Sequence, residues 1–284
     1  STYIQEYTVA DDLSLIPGEV LYAGTYDECV KLHNALQDGS MTAEQVKAQA
    51  QAEKLYGAGG CDRVFMYHPD AVAMWIYEKY RAHFAQLEKR AALRLPMRSV
   101  VPPVTPVAFA SMYSGLQPAQ HGIMKYEKPV LGVETVFDRL PEAGKRVAVI
   151  STQGDSISLI FLERQVDYFI YPTKQECNEK AMGLIAEDTY DLIVLYNGDY
   201  DYYMHRRTPE GKRALQALDE NINTWCGIYD RIRDCWTGHR TALAFAPDHG
   251  CHRMLGFLGT HGKEEPCDMN IMHFYSFLQE RAEP

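Results

Sequence analysis

The chain has no cysteine pair in CxxC spacing, and its seven cysteines (Cys29, Cys61, Cys177, Cys226, Cys235, Cys251 and Cys267) are odd in number. Neither a disulfide framework nor a cysteine-rich zinc finger is expected from them, and a reducing, cytoplasmic setting is. No apolar run approaches the length of a membrane span, so no membrane association is expected. The first residues, Ser-Thr-Tyr-Ile-Gln-Glu-Tyr, lack a basic segment followed by an apolar one, and no signal peptide is visible in them. Internal repeats and low-complexity tracts are absent from the sequence as well. Cations are the minority charge: 28 Lys and Arg stand against 38 Asp and Glu, a formal net charge of −10. That balance argues against a nucleic-acid polymer as partner. A small phosphorylated substrate stays open, because bound metal ions reverse the sign of the local field.

What remains is an ordinary globular composition, 46% apolar and 23% charged over 284 residues, enough for one large domain or two modest ones. Residues 1–57 read as an N-terminal helical extension. Tyr26 to Gln37 predicts a helix stopped by Asp38-Gly39-Ser40. Thr42-Ala-Glu-Gln45 has capping-box spacing and opens a second helix to about Tyr56, and Gly57-Ala58-Gly59-Gly60 forms a hinge-like break. From residue 58 to 284 strands and helices alternate. Short apolar strands are expected at Arg63–Tyr67, Arg146–Ser151, Val166–Tyr171, Asp191–Tyr196 and Thr241–Ala246. Helices are expected along the Val72, Ile76, Tyr80, Phe84, Leu87 face, around Thr135 to Glu142, from Thr208 to Trp236 with Thr208 as N-cap, and from Asn270 to Glu280. This alternation predicts an α/β fold, a three-layer α/β/α sandwich around a mostly parallel sheet.

In such folds ligands bind beyond the carboxyl ends of the strands. Asp70 lies just past the first strand, Asp201 and His205 past the fourth, Asp248 and His249 at the end of the fifth, and His261 in the loop that follows. Singly, each has a plainer explanation, such as an N-cap for Asp70 or a polar turn for Asp248-His249-Gly250. A parallel sheet would bring all six to one edge, where Asp and His suit zinc and divide into two sets of three. Thr105, in Val-Val-Pro-Pro-Val-Thr-Pro-Val-Ala-Phe, precedes a proline suited to a first helical turn. It reads either as a plain N-cap or as a hydroxyl held in the positive potential of a helix N-terminus, where a metal ion would make its alkoxide accessible.

Taken in order, these motifs resemble the alkaline phosphatase superfamily, closest to its nucleotide pyrophosphatase/phosphodiesterase branch, over about Arg63 to Leu278. Gly115-Leu-Gln-Pro118-Ala-Gln-His121-Gly122-Ile123 matches the signature that follows the nucleophile. Asp201-x-x-x-His205, Asp248-His249-Gly250 and Gly259-Thr-His261-Gly262 match the metal motifs. The resemblance implies two divalent metal ions, zinc first and manganese as the alternative. Asp201, His205 and His261 would hold one. Asp70, Asp248 and His249 would hold the other, with Thr105 bound to it as the alkoxide. His121 would be structural.

Three departures bear on the substrate. Asp70 is followed by Ala71 where the family has glycine, with His68 near enough to be a rival ligand. Pro106 removes a backbone N–H that would face the phosphoryl oxygen. The family's asparagine clamp is replaced by Tyr126, beside Lys125, and either could donate to a phosphoryl oxygen. The expected activity is metal-dependent hydrolysis of a phosphodiester or phosphoanhydride bond in a small substrate, nucleotides among the candidates, through a covalent threonine intermediate. The alternatives are a phosphomonoesterase, a phosphonate hydrolase and a metal-binding protein without catalysis. Tyr200, Tyr202 and Tyr203 stand near the expected site as stacking or packing residues.

Overall fold

The structure is a computed structural model that describes residues 2–9, 15–24, 26–37, 43, 46, 50, 54, 60–254 and 258–279. The chain divides into two units, Ser1–Gly60 and Cys61–Pro284. In the first, β1 (Thr2–Val9) pairs antiparallel with β2 (Leu15–Gly24), and α1 (Tyr26–Gln37) follows as predicted. The hairpin corrects the expectation of a purely helical extension; its Tyr, Ile, Val and Thr residues favour a pleated surface. Of the second predicted helix, positions 43, 46, 50 and 54 are helical, and its other residues lie outside the described ones, as do residues 57–59 of the hinge-like break. Cys29, Leu32 and Val46 form a small core of their own.

The second unit runs β3 (Arg63–Pro69), α2 (Met74–Lys79), a 3-10 turn (Arg81–Phe84), α3 (Ala85–Arg90), β4 (Leu93–Arg98), α4 (Thr105–Ser114), α5 (Pro118–His121), α6 (Val136–Glu142) and β5 (Val147–Thr152). It continues with α7 (Ser156–Ile160), β6 (Asp167–Tyr171), α8 (Lys174–Glu187), β7 (Leu192–Asn197), α9 (Asp199–Arg206), α10 (Lys212–Cys235), β8 (Thr241–Phe245), β9 (His252–Arg253), β10 (Gly259–Thr260), α11 (Pro266–Met269) and β11 (Asn270–Leu278). One seven-stranded sheet has the order β4-β11-β8-β3-β7-β5-β6. The five strands from β8 to β6 are mutually parallel, and β11 runs antiparallel to both β8 and β4.

Successive side chains of a strand face opposite sides of the sheet, and the two apolar clusters follow that alternation. Phe65, Tyr67, Ile193 and Leu195 join Trp225 and Ile232 of α10 on one side. Val149, Val194, Val107 and Phe109 of α4 and Phe137 of α6 meet on the other. Helices therefore cover both faces, giving the three-layer α/β fold expected.

Two helix readings are corrected. The segment from Asn270 is a strand, not a helix: a short apolar run rich in Ile, Phe and Tyr suits either period, and here it closes the gap between β8 and β4. The long helix starts at Lys212 with Gly211 as cap; Thr208 instead begins a turn in which Gly211 N–H donates to its carbonyl at 2.8 Å. Helix α8 and strand β4 were not anticipated.

The turn out of β3 shows what the first departure costs. Ala71 is fully buried with φ +61°, in the left-handed region that favours glycine. For alanine that conformation costs about 1–2 kcal/mol. Ala71→Gly should therefore be nearly neutral: released strain offsets about 0.8 kcal/mol of lost methyl burial and about 0.5–1 kcal/mol of glycine entropy. Ala73→Gly, equally buried but with φ −68°, lacks that relief and should cost about 1–2 kcal/mol. Urea denaturation of both variants decides; equal losses at 71 and 73 contradict the strain.

A second prediction concerns acid. Burial pushes His273 down to about 4, with Nε2 donating to the Pro247 carbonyl at 2.8 Å. The unfolded chain takes up this proton below about 6.5 and the folded one does not until about 4. Stability is thus full above about 6.5 and is lost as pH falls toward 4, by about 3 kcal/mol from this residue. His273→Gln should flatten the acid limb of a urea-midpoint-against-pH curve relative to the parent; parallel curves would contradict the assignment.

Candidate active site

The three strands that carry ligand candidates are neighbours in the sheet, β8-β3-β7, and parallel, so their carboxyl ends share one edge. Asp70 follows β3, and Asp248 and His249 follow β8. Asp201 and His205 lie on α9, one helical turn apart, rather than in a loop, so both side chains project from one face. His261 arrives just past β10.

Two groups result, and they are the predicted ones: Asp70, Asp248 and His249, all buried, and Asp201, His205 and His261, partly buried. In each, one donor atom per residue lies within 4.8 Å of the others. His249 Nε2 is 3.4 Å from both Asp70 Oδ1 and Asp248 Oδ2. Asp201 Oδ1 is 3.2 Å from His205 Nε2 and 3.4 Å from His261 Nε2. The second nitrogen of each imidazole faces a backbone carbonyl: His205 Nδ1 donates to Gly259 at 3.1 Å, His249 Nδ1 to Gly250 at 2.9 Å and His261 Nδ1 to Pro103 at 3.2 Å. That fixes the tautomer and leaves every Nε2 lone pair turned inward. The His249 and His261 rings stand 4.1 Å apart, so the two groups adjoin.

Whether these residues fit metal ions can be judged from their unmet oxygens. Asp70 Oδ1, Asp201 Oδ1 and Asp248 Oδ2 are buried without a hydrogen-bond donor. A buried carboxylate oxygen left bare is costly unless a cation meets it. Burial, then the charges on Asp248 and Asp201, pushes the Asp70 carboxyl well above the usual range. Burial also raises Asp201, but the His205 and His261 imidazoles outweigh it and hold that carboxyl low. The donor set, two carboxylates with one imidazole and one carboxylate with two imidazoles, fits divalent ions of the zinc type.

Thr105 is the first residue of α4; Val104, not Thr105, is the cap, its carbonyl accepting from Val107 and Ala108 N–H. Its Oγ1 is 3.2 Å from His249 Nε2 and 3.5 Å from Asp70 Oδ2. The nucleophile candidate thus stands at the Asp70 group, and the Tyr196 hydroxyl closes on the same Asp70 Oδ2. His68 is no rival ligand. It is fully buried, its nitrogens engage the Ala246 carbonyl and the Tyr113 hydroxyl at 2.6 Å each, and burial lowers it to about 3. His121 fastens a turn: Nε2 donates to Ser111 Oγ at 2.9 Å and Nδ1 accepts from Ile123 N–H at 3.2 Å. Gly259 meets Met204 so closely that an added Cβ would lie 2.4 Å from its sulfur, which is why β10, the strand that leads to His261, can lie against α9.

A cavity of about 280 Å³ opens beside Asp70, Asp201 and His205, its wall including Tyr126, Lys128, Lys174, Tyr196, Tyr202 and Arg206. Tyr126 lines this cavity. Lys125 does not: it is exposed and pairs with Glu127 at 3.4 Å, and Lys128 is the cation that the segment contributes. Of the three tyrosines, Tyr200 is buried and donates to the Pro209 carbonyl, and Tyr203 binds Arg213. Tyr202 alone lines the cavity, with the Arg206 guanidinium 3.5 Å over its ring. Tyr196, Lys128, Lys174 and Arg206 were missed. Tyr196 ends an apolar strand and reads there as core, and the three cations carry no motif.

A family model for type I phosphodiesterase / nucleotide pyrophosphatase matches residues 67–143, the segment holding Asp70 and Thr105. No curated protein sequence matches the chain significantly. Among solved structures, murine ectonucleotide pyrophosphatase / phosphodiesterase 5 aligns with TM-score 0.54 at 14% identity, covering 67% of this chain and 58% of its own. An inactive threonine-to-alanine variant of that protein in complex with AMP gives 0.55 at 14%, covering 68% and 58%. Phosphonoacetate hydrolase from Sinorhizobium meliloti 1021, in complex with phosphonoformate, gives 0.50 at 18%, covering 66% and 56%. The present chain thus spans under two thirds of the length of these proteins, and at such identities the likeness is one of fold. In fold and in its matched segment the chain is similar to members of the alkaline phosphatase superfamily, with the nucleotide pyrophosphatase/phosphodiesterase branch among them.

Proposed function

We propose that residues 58–284 form the catalytic domain of a metal-dependent phosphoric ester hydrolase that cleaves a phosphodiester or phosphoanhydride bond in a small substrate. The observation that carries this reading is the hydroxyl of Thr105, 4% exposed, set against the Asp70, Asp248 and His249 group with a second ligand group adjoining. Asp70, Asp248 and His249 would hold one divalent ion together with Thr105, and Asp201, His205 and His261 another, zinc in preference to manganese. Such ions would supply positive charge against the phosphoryl oxygens and favour the alkoxide of a neighbouring hydroxyl.

Thr105 Oγ1 attacks phosphorus; the new bond joins threonine to the phosphoryl group and the bond to the leaving oxygen breaks. Water then cleaves the phospho-threonine and restores the hydroxyl. Tyr196 holds Asp70 by its second oxygen and leaves Oδ1 free to bind. Tyr126 and Tyr202 offer aromatic faces to the rest of the substrate, and Lys128 and Arg206 offset its charge, Lys174 being paired with Asp199 and Glu220. The cavity, about 280 Å³, suits a small ligand. The AMP complex of the structural neighbour supports a nucleotide, and the phosphonoformate complex supports a phosphonate as the second reading. Seven free cysteines support a reducing, cytoplasmic setting. Among the described residues no helix is long and apolar enough to cross a membrane.

Hydrolysis of p-nitrophenyl phosphate, bis-p-nitrophenyl phosphate and p-nitrophenyl phenylphosphonate, each with zinc or manganese, tests the reading and ranks the substrates. Thr105→Ala should lower the rate at least about 1,000-fold with metal content unchanged. Undiminished turnover would sink the nucleophile, and silence of the parent protein on all three with metal bound would favour a binding protein. Tyr196→Phe should weaken metal binding at the Asp70 group about 10–100-fold and leave the Asp201 group alone. Equal loss at both groups, read by metal titration, would mean that Tyr196 only supports the core.

A further inference from the structure

A third ligand group stands apart from the two just described. The donor atoms of His252, Cys267 and Asp268 lie within 4.8 Å of one another. His252 belongs to β9, and Cys267 and Asp268 to α11. Asp268 is fully buried, with Oδ1 2.7 Å from His252 Nδ1 and Oδ2 accepting from Lys263 N–H at 2.9 Å. His252 Nε2 is buried without a hydrogen-bond partner, an orphan of the kind that marks the two groups above. Cys267 Sγ is 3.8 Å from Glu265 Oε2, so a fourth donor is at hand. A fully buried carboxylate with the His252 Nδ1 nitrogen 2.7 Å away, and a thiol within 4.8 Å of both, are a donor set that packing alone does not call for.

We propose that His252, Cys267 and Asp268 form a third divalent-metal site. Thiolate with imidazole and carboxylate is a zinc-type donor set, which hard cations such as magnesium or calcium do not favour. Binding replaces the thiol proton by the ion and releases that proton to solvent. The site takes no part in phosphoryl transfer. It ties β9 to α11, and so closes the stretch of chain that carries His261, just after Asp248 and His249. Gly250 N–H already donates to the Asp268 carbonyl at 2.7 Å, and a Cβ at Gly250 would come within 2.2 Å of the Cys267 carbonyl, so the two segments are pressed together where the ion would hold them.

The test uses cobalt, since neither candidate catalytic group contains cysteine. Cobalt-loaded protein should show a thiolate-to-metal charge-transfer band, and Cys267→Ser should abolish it while the zinc content of the zinc-loaded protein falls from three ions per chain to two. Asp201→Asn should reduce hydrolysis and leave the band intact, which separates this site from the catalytic reading. On the unaltered protein, zinc should slow alkylation of Cys267 by iodoacetamide at least tenfold relative to chelated protein, read by peptide mass mapping. A missing band, a band persisting in Cys267→Ser, or equal alkylation rates would overturn the proposal.

Discussion

Three carboxylates, Asp70 and Asp248 buried and Asp201 partly so, stand at the ends of three adjacent strands or on the helix that follows one, each with an oxygen that no protein donor meets. Like charges in a low dielectric repel strongly, and protons or cations must balance them. The rest of the site is arranged around that imbalance. Three imidazoles turn their free nitrogens toward it while backbone carbonyls hold the other side. Thr105 reaches it from the first turn of α4, where peptide dipoles add positive potential.

The sheet makes this arrangement possible without strain in the ladder itself. Ligand residues lie just beyond the hydrogen-bonded strands, in turns and on the short helix α9, so the apolar layers on both faces close independently of them. Strain appears where the chain leaves β3, at Ala71, whose N–H faces Asp248 Oδ1 at 3.3 Å. The unfavourable dihedral aims that N–H, tying the first ligand turn to the second.

Much of this was legible in the sequence. The six ligand candidates follow from residue types at strand ends and the layered α/β architecture from alternating elements, whereas the division of the six into these two groups, and the choice of Thr105, rest on the resemblance. The failures share a physical cause: short apolar segments carry no decisive period. Asn270–Leu278 could be helix or strand until its neighbours on both sides are known, and the pairing of β1 with β2 is broken by register shifts. Side chains whose role depends on distant partners were also invisible. Lys128 outranks Lys125 only because of the direction the loop takes, Tyr196 hides in an apolar strand, and His252 lies far in sequence from Cys267 and Asp268.

The placement of β11 has a consequence for how the molecule is made. Among the described residues strand β4 has one neighbour in the sheet, and that neighbour is β11, the last strand described. During synthesis, residues 93–98 emerge early and wait with unpaired backbone groups until residues 270–278 follow. An open edge of this kind invites pairing with other chains. Because β4 leads through residues 99–104 to Thr105, its pairing with β11 also fixes where the chain enters α4.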